Sequence, residues 1–181
     1  MEILDLIRQV NLSKRIKRTG WVRENIPDPE SVAEHIFGTV FLAMVLGPKL
    51  GVDREKLVRM ALIHDISETK TGDLIVERGK EKMASIREQK DKLELEAIRE
   101  LFEGESQTYI DLFKEMQEVQ TPEARVFKQL DKLEMAIQAL EYEIEFGKNL
   151  TEFFDNTQTH LTHPYLREIF AKVLSARPRN S

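Results

Sequence analysis

The sequence predicts an all-α fold arranged as one globular helical bundle. Apolar residues recur at spacings of three and four, strand-like alternation is hard to find, and the six prolines and most of the eight glycines fall between apolar runs rather than inside them. The length of 181 residues suits one domain that can bury a continuous core.

Taken in order, a first helix is expected over residues 2–10, with Ile3, Leu6, Ile7 and Val10 on one face. Residues 14–25 are basic and irregular, carrying Arg15, Lys17, Arg18, Trp21 and Arg23, and lead into Pro27-Asp28-Pro29; they read as a surface loop or groove lining. Ser31-Val32-Ala33-Glu34 has the form of a capping box and starts a helix that ends near Gly47-Pro48. Asp53 caps the next, expected to run through Ile63-His64-Asp65 towards Glu68 until Thr71-Gly72-Asp73 breaks it. Residues 81–103 are dense in Lys and Glu around an apolar stripe of Ile86, Leu93, Ala97, Ile98, Leu101 and Phe102, a solvated helix face. A short helix over 109–116 follows. Thr121-Pro122 then starts a long one reaching about Phe146 before Gly147. A last helix is expected from Pro164 to about Leu174, with a frayed tail from Arg177 to Ser181.

The balance of 27 basic and 32 acidic residues, net −5, argues against a protein that coats nucleic acid polymers but leaves single nucleotides open. The absence of cysteine excludes disulfides, a cysteine nucleophile, iron–sulfur clusters and thiolate zinc sites, so any metal must be held by His, Asp and Glu. The residues from Met1 to Asp5 show no secretory signal, and the longest apolar run, 36–46, is about half of a spanning helix, so a cytoplasmic protein without a membrane partner is expected.

Four histidines are available: His35, His64, His160 and His163. His64-Asp65 sits in an apolar run, where two ionisable neighbours are costly to bury unless something pairs with them, and a divalent cation is the most economical partner. A histidine capping its own helix beside an exposed aspartate fits the same dipeptide. Glu68, three and four residues on, shares their face on a continuous helix and can hydrogen-bond a water held there. His35 falls one turn into its helix among apolar neighbours, as a ligand or as a hydrogen-bonded core histidine. Asp131 interrupts an apolar helix face, as a ligand or as a salt-bridge partner of Lys128, Lys132 or Arg125. His160 and His163 lie in a polar, proline-bounded stretch and read as surface or helix-capping residues.

His35, His64-Asp65 and Asp131, on three helices, resemble the H…HD…D ligand set of the HD-domain metal-dependent phosphohydrolases. Ser31-Val32-Ala33-Glu34-His35 and His64-Asp65-Ile66-Ser67-Glu68 with Thr71-Gly72-Asp73-Leu74 are similar to the branch of the bacterial 5′-deoxynucleotidases and eukaryotic HD domain-containing protein 2. The resemblance implies a single HD domain over 1–181, with a core over about 14–147 and a C-terminal helix over 164–176 packed on it. It assigns one divalent ion to His35, His64, Asp65 and Asp131, with Mn²⁺, Co²⁺, Fe²⁺ or Mg²⁺ suiting the ligands as well as Zn²⁺. Glu68 matches the acid that activates the attacking water, Asp73 a substrate-contacting acid that helps the leaving group, Arg18 a phosphate-orienting arginine and Trp21 a nucleoside contact. His35, Asp65 and Asp131 thereby also face the substrate.

Around Arg18 the order Arg18-Thr19-Gly20-Trp21 follows the eukaryotic form rather than the adjacent Arg-Trp of the bacterial enzymes, and Leu74-Ile75-Val76 replaces their Leu-Pro-Thr. The implied activity is hydrolysis of (deoxy)nucleoside 5′-monophosphates by a metal-activated water, in a homodimer. Two alternatives are a hydrolase of alarmones or cyclic dinucleotides and a non-catalytic metal-binding helical regulator. Thr69 stands where alarmone hydrolases carry a second acid, two-metal phosphodiesterases need more ligands than two spare histidines offer, and a purely structural site does not need Glu68 and Asp73.

Overall fold

The computed structural model describes residues 2–74, 83–104 and 106–178. Met1, Ile75-Val76, the expected helix start at Glu81 and the tail beyond Pro178 lie outside the described residues. Those described form helices and turns, and the only strand-like pairing among them is an isolated antiparallel bridge between Lys17 and Ser31. The chain divides into two compact units, Met1–Ile36 with Leu62–Glu118 and Phe37–Ala61 with Val119–Ser181.

The first unit opens with α1, Ile3–Asn11, whose apolar face leaves Ile3 and Ile7 exposed. The basic stretch expected as a loop instead contains a short helix, α2, Thr19–Arg23, with Trp21 buried. Helix α3, Val32–Leu46, starts at the expected capping box: the Ser31 N–H donates to Glu34 Oε2 at 2.6 Å and the Glu34 N–H to Ser31 Oγ at 3.3 Å. Helix α4, Arg54–Ile63, is capped by Asp53, whose Oδ1 accepts the Lys56 N–H at 3.1 Å. The first residues of α3 and the last of α4 belong to the first unit, the remainder to the second.

Helix α4 stops at Ile63, short of the expected end. Residues 64–67 form a tight turn held by bonds from Ile66 N–H to the Ile63 carbonyl and Glu68 N–H to the Asp65 carbonyl, and a one-turn helix α5, Glu68–Thr71, follows. Helix α6, Met83–Leu101, packs against α5 and against α7, Gln107–Glu118; it buries Ala97, Ile98 and Leu101 and leaves Leu93 exposed.

The second unit is organised on α8, Pro122–Phe146. Thr121 caps it, accepting the Ala124 N–H at 3.2 Å, proline occupies its first turn, and Gly147 ends it in the left-handed region at φ 63°. Helices α9, Thr151–His160, and α10, Pro164–Ala176, pack on α8. Helix α9 falls between the two helices expected over 122–146 and 164–174, where the sequence predicts no element. Phe153, Phe154 and Thr157 face inward there, and the Thr157 hydroxyl donates to the Lys132 carbonyl at 2.9 Å.

The segment Val32–Lys49, longer than the 36–46 run, is by length and composition apolar enough to cross a membrane. It carries His35 and Thr39, both wholly buried in the fold.

Candidate active site

The site grows from the bridge between Lys17 and Ser31. There the Arg18 N–H donates to the Glu30 carbonyl at 3.0 Å and the Val32 N–H to the Ile16 carbonyl at 2.9 Å, which fixes the approach to α2 and the start of α3 together. Arg18 then reaches Asp65, its Nη1 donating to Oδ2 at 2.7 Å in a charge-assisted bond. Thr19 turns to a second acid: its backbone N–H donates to Asp73 Oδ2 at 2.6 Å and its hydroxyl to the Asp73 carbonyl at 2.7 Å.

His35, one turn into α3, is wholly buried, and its Nε2 lies 3.6 Å from Asp65 Oδ2. The His64 Nε2 lies 3.2 Å from the same oxygen, and the two imidazoles meet edge to face with centroids 5.1 Å apart. The turn at 64–67 is what permits this convergence. On a continuous helix, adjacent side chains diverge by roughly 100°; leaving the helix after Ile63 lets His64 and Asp65 address one point. Two imidazole nitrogens and a carboxylate oxygen converging in the interior are donors that suit a divalent cation.

Glu68, the first residue of α5, is 2% exposed, and its Oε2 has no hydrogen-bond partner among the described residues. Burial, reinforced by the charges of Asp65 and Asp73, pushes its carboxyl up to about 10. An acid that keeps its proton with one oxygen unengaged is suited to proton exchange. Burial also opposes ionisation of Asp65, but His64, Arg18 and His35 outweigh it and hold that carboxyl well below the usual range.

The structure thus brings His35, His64, Asp65, Arg18 and, through Thr19, Asp73 into one network, with Glu68 in electrostatic reach. Trp21, expected at the nucleoside, is instead 1% exposed and donates its indole N–H to Glu30 Oε1 at 2.8 Å. This anchors α2 from inside and leaves the ring no open face for stacking. Asp131 belongs to the second unit, buried on α8, where its Oδ2 accepts from Lys132 Nζ at 3.0 Å. His160 bonds through Nδ1 with the Asn156 carbonyl of its own helix, and His163 precedes α10 with its N–H on Gln129 Oε1.

Sequence reasoning missed Lys90 of α6, which lies in the stretch read as a solvated helix face. Its Nζ donates to the Leu74 carbonyl, just past Asp73, and pairs with Glu94 at 3.4 Å. Burial opposes its charge, but Glu94, Glu68, Asp65 and Asp73 prevail and raise its pKa.

A family model for the HD domain matches residues 10–173. The 5′-deoxynucleotidase HDDC2 of Danio rerio is 33% identical over 180 residues, covering 98% of this chain and 89% of its own. The human 5′-deoxynucleotidase HDDC2 is 32% identical over 184 residues, covering 98% and 87%. Among solved structures, a conserved hypothetical protein from Pyrococcus furiosus matches with a TM-score of 0.80 at 34% identity, over 95% of this chain and 99% of that one. The converging His35, His64 and Asp65, a family match spanning most of the sequence and relatives above 30% identity over nearly its full length give one conclusion: the chain belongs to the HD domain family.

Proposed function

We propose that the protein is a divalent-metal-dependent phosphomonoesterase that hydrolyses (deoxy)nucleoside 5′-monophosphates to nucleoside and phosphate. The observation that carries this reading is the convergence of the His35 and His64 Nε2 atoms on the Asp65 carboxylate. The 5′-deoxynucleotidase names of the relatives support the substrate class.

His35, His64 and Asp65 would hold the ion, and Asp131 is the proposed fourth ligand, supported by the sequence resemblance and by its burial on α8. When bound, a divalent ion lowers the pKa of water and offsets charge on the phosphoryl oxygens. Arg18, on the rim of this cluster, orients the phosphate by its guanidinium. With cationic charge offsetting Asp65, Glu68 would ionise and take the proton that the water gives up as it bonds to phosphorus, while the bond from phosphorus to the 5′ oxygen breaks and Asp73, on the leaving-group side, hands a proton to the departing oxygen.

The test is a phosphate-release assay across nucleoside monophosphates, alarmones and cyclic dinucleotides with Mn²⁺, Co²⁺, Fe²⁺, Mg²⁺ or Zn²⁺. Release from 5′-monophosphates alone is expected. No release from any of them with any ion overturns the reading in favour of a regulator, and release confined to alarmones or cyclic dinucleotides assigns the alternative hydrolase.

A cytoplasmic homodimer is part of the proposal. Phe37 at 72% exposure, with Phe41, Met44 and Val45, forms an uncovered apolar stripe along α3 that supports a second copy as its cover. Light scattering of the wild type against Phe37→Glu checks it, with a dimer expected to become a monomer.

A further inference from the structure

We propose that Thr19 is a positioning residue that fixes Asp73 for the reaction, an inference resting on the phosphomonoesterase reading above. Asp73 is held in the site by contacts from outside its own segment. It lies outside the helices, directly after Gly72, which ends α5 in the left-handed region at φ 74°. What orders it on this side is a single residue acting twice: the Thr19 N–H on the carboxylate at 2.6 Å and the Thr19 hydroxyl on the backbone carbonyl at 2.7 Å. One bond fixes the side chain and the other the peptide, so the carboxylate loses the freedom to swing and the freedom to drift.

The clamp is rooted. Thr19 opens α2, where the Trp21 and Val22 N–H groups bond the Arg18 carbonyl at 3.1 and 3.2 Å, and Trp21 is tied inside to Glu30 at 2.8 Å. The β-branched side chain restricts χ1, so the hydroxyl is presented with little entropy to lose. Thr19 also follows Arg18, which holds Asp65 at 2.7 Å. Two consecutive residues, with Cα atoms about 3.8 Å apart, therefore set the spacing between the acid at the candidate metal cluster and the acid at the leaving group. In the Arg18-Thr19-Gly20-Trp21 order, the residue after the arginine acquires a task that an adjacent Arg-Trp pair would leave undone. Pre-orientation of this kind acts on the chemical step more than on substrate affinity.

The experiment compares Thr19→Val, which keeps the shape and the backbone N–H but removes the hydroxyl, with Thr19→Ser, Asp73→Ala and the Thr19→Val/Asp73→Ala double variant. For a nucleoside 5′-monophosphate, Thr19→Val is expected to lower kcat about tenfold with KM held within about twofold, and Thr19→Ser to recover most of the loss. In the Asp73→Ala background, Thr19→Val is expected to add less than about twofold. Wild-type kcat in Thr19→Val, or a full tenfold further loss in the double variant, overturns the proposal. Amide hydrogen exchange at residue 19, followed by NMR, is the arm independent of catalysis. Faster exchange is expected in both Thr19→Val and Asp73→Ala, and unchanged protection in either refutes the clamp. If the wild type hydrolyses no nucleotide, the functional reading falls while the exchange arm still decides the geometry. Thr19→Ala removes the same hydroxyl if Thr19→Val does not fold.

Discussion

Glu68 and Glu143 are the same residue type, each almost wholly buried at 2% and 5% exposure, and the fold treats them in opposite ways. In the second unit, Glu143 is fully engaged. Arg177 donates to both its oxygens at 2.8 Å, the Leu150 N–H adds a bond at 2.9 Å, and the guanidinium lies over the Phe154 ring at 4.0 Å. Burial opposes its charge, but these bonds win and hold the carboxyl below its ordinary value. In the first unit, Glu68 keeps one oxygen without a hydrogen-bond partner among the described residues and faces other acids, so its carboxyl rises instead. Glu143 is committed to holding its helices together and Glu68 is left for chemistry, the division expected where function and stability compete for the same groups.

The sharpest way to break this contrast is to replace each acid by its amide. Glu68→Gln is expected to lower kcat by about 10²–10³-fold, the range of a lost acid–base group, while the melting temperature stays level or rises. Kinetics paired with a thermal melt check it, and a variant with wild-type kcat would remove Glu68 from the mechanism. Glu143→Gln should do the converse: about 2 kcal/mol less stable in urea unfolding, from the loss of charged hydrogen bonds, with unchanged kcat per folded molecule.

The pH dependence sharpens the comparison further. Glu143 has a lowered folded value, so its contribution is present above the ordinary 4.5 and lost as pH falls through the lowered value; the deficit of Glu143→Gln should shrink there. Glu68 has a raised one. The folded chain keeps that proton up to about 10 while the unfolded chain releases it near 4.5, so chelated protein should lose stability as pH rises between the two. Urea midpoints at pH 5 and pH 9 are expected to fall further for the wild type than for Glu68→Gln.

The smallest effects separate the units at their caps. Ser31→Ala and Thr121→Ala should each cost about 1 kcal/mol. Only Ser31→Ala, which loosens the turn leading to His35, is expected to reduce activity per folded molecule as well.

The long α8 was legible because its punctuation is local: Thr121-Pro122 at one end and Gly147 at the other satisfy backbone groups by themselves. The capping box before His35 was legible for the same reason. The end of α4 was not, because Ala61, Leu62, Ile63 and Ile66 continue a helical apolar pattern through residues that actually turn. Helix α9 escaped because its polar composition masks an inward row of Phe153, Phe154 and Thr157, a signal visible at spacings of three and four. Of the site, the ligand types and Glu68 could be read from spacing and resemblance. The contacts of Thr19 and Lys90 could not, since each is a hydrogen bond to a residue 54 or 16 positions away.

Trp21 is the sole tryptophan of the sequence, and the fold buries it on the short helix α2 with its indole N–H on Glu30. Its fluorescence is therefore a built-in optical reporter for the first unit alone, while circular dichroism sums the helices of both. Overlaying the two signals along one urea titration reads cooperativity directly: coincident curves mean that the units melt together, and separated curves give each its own stability.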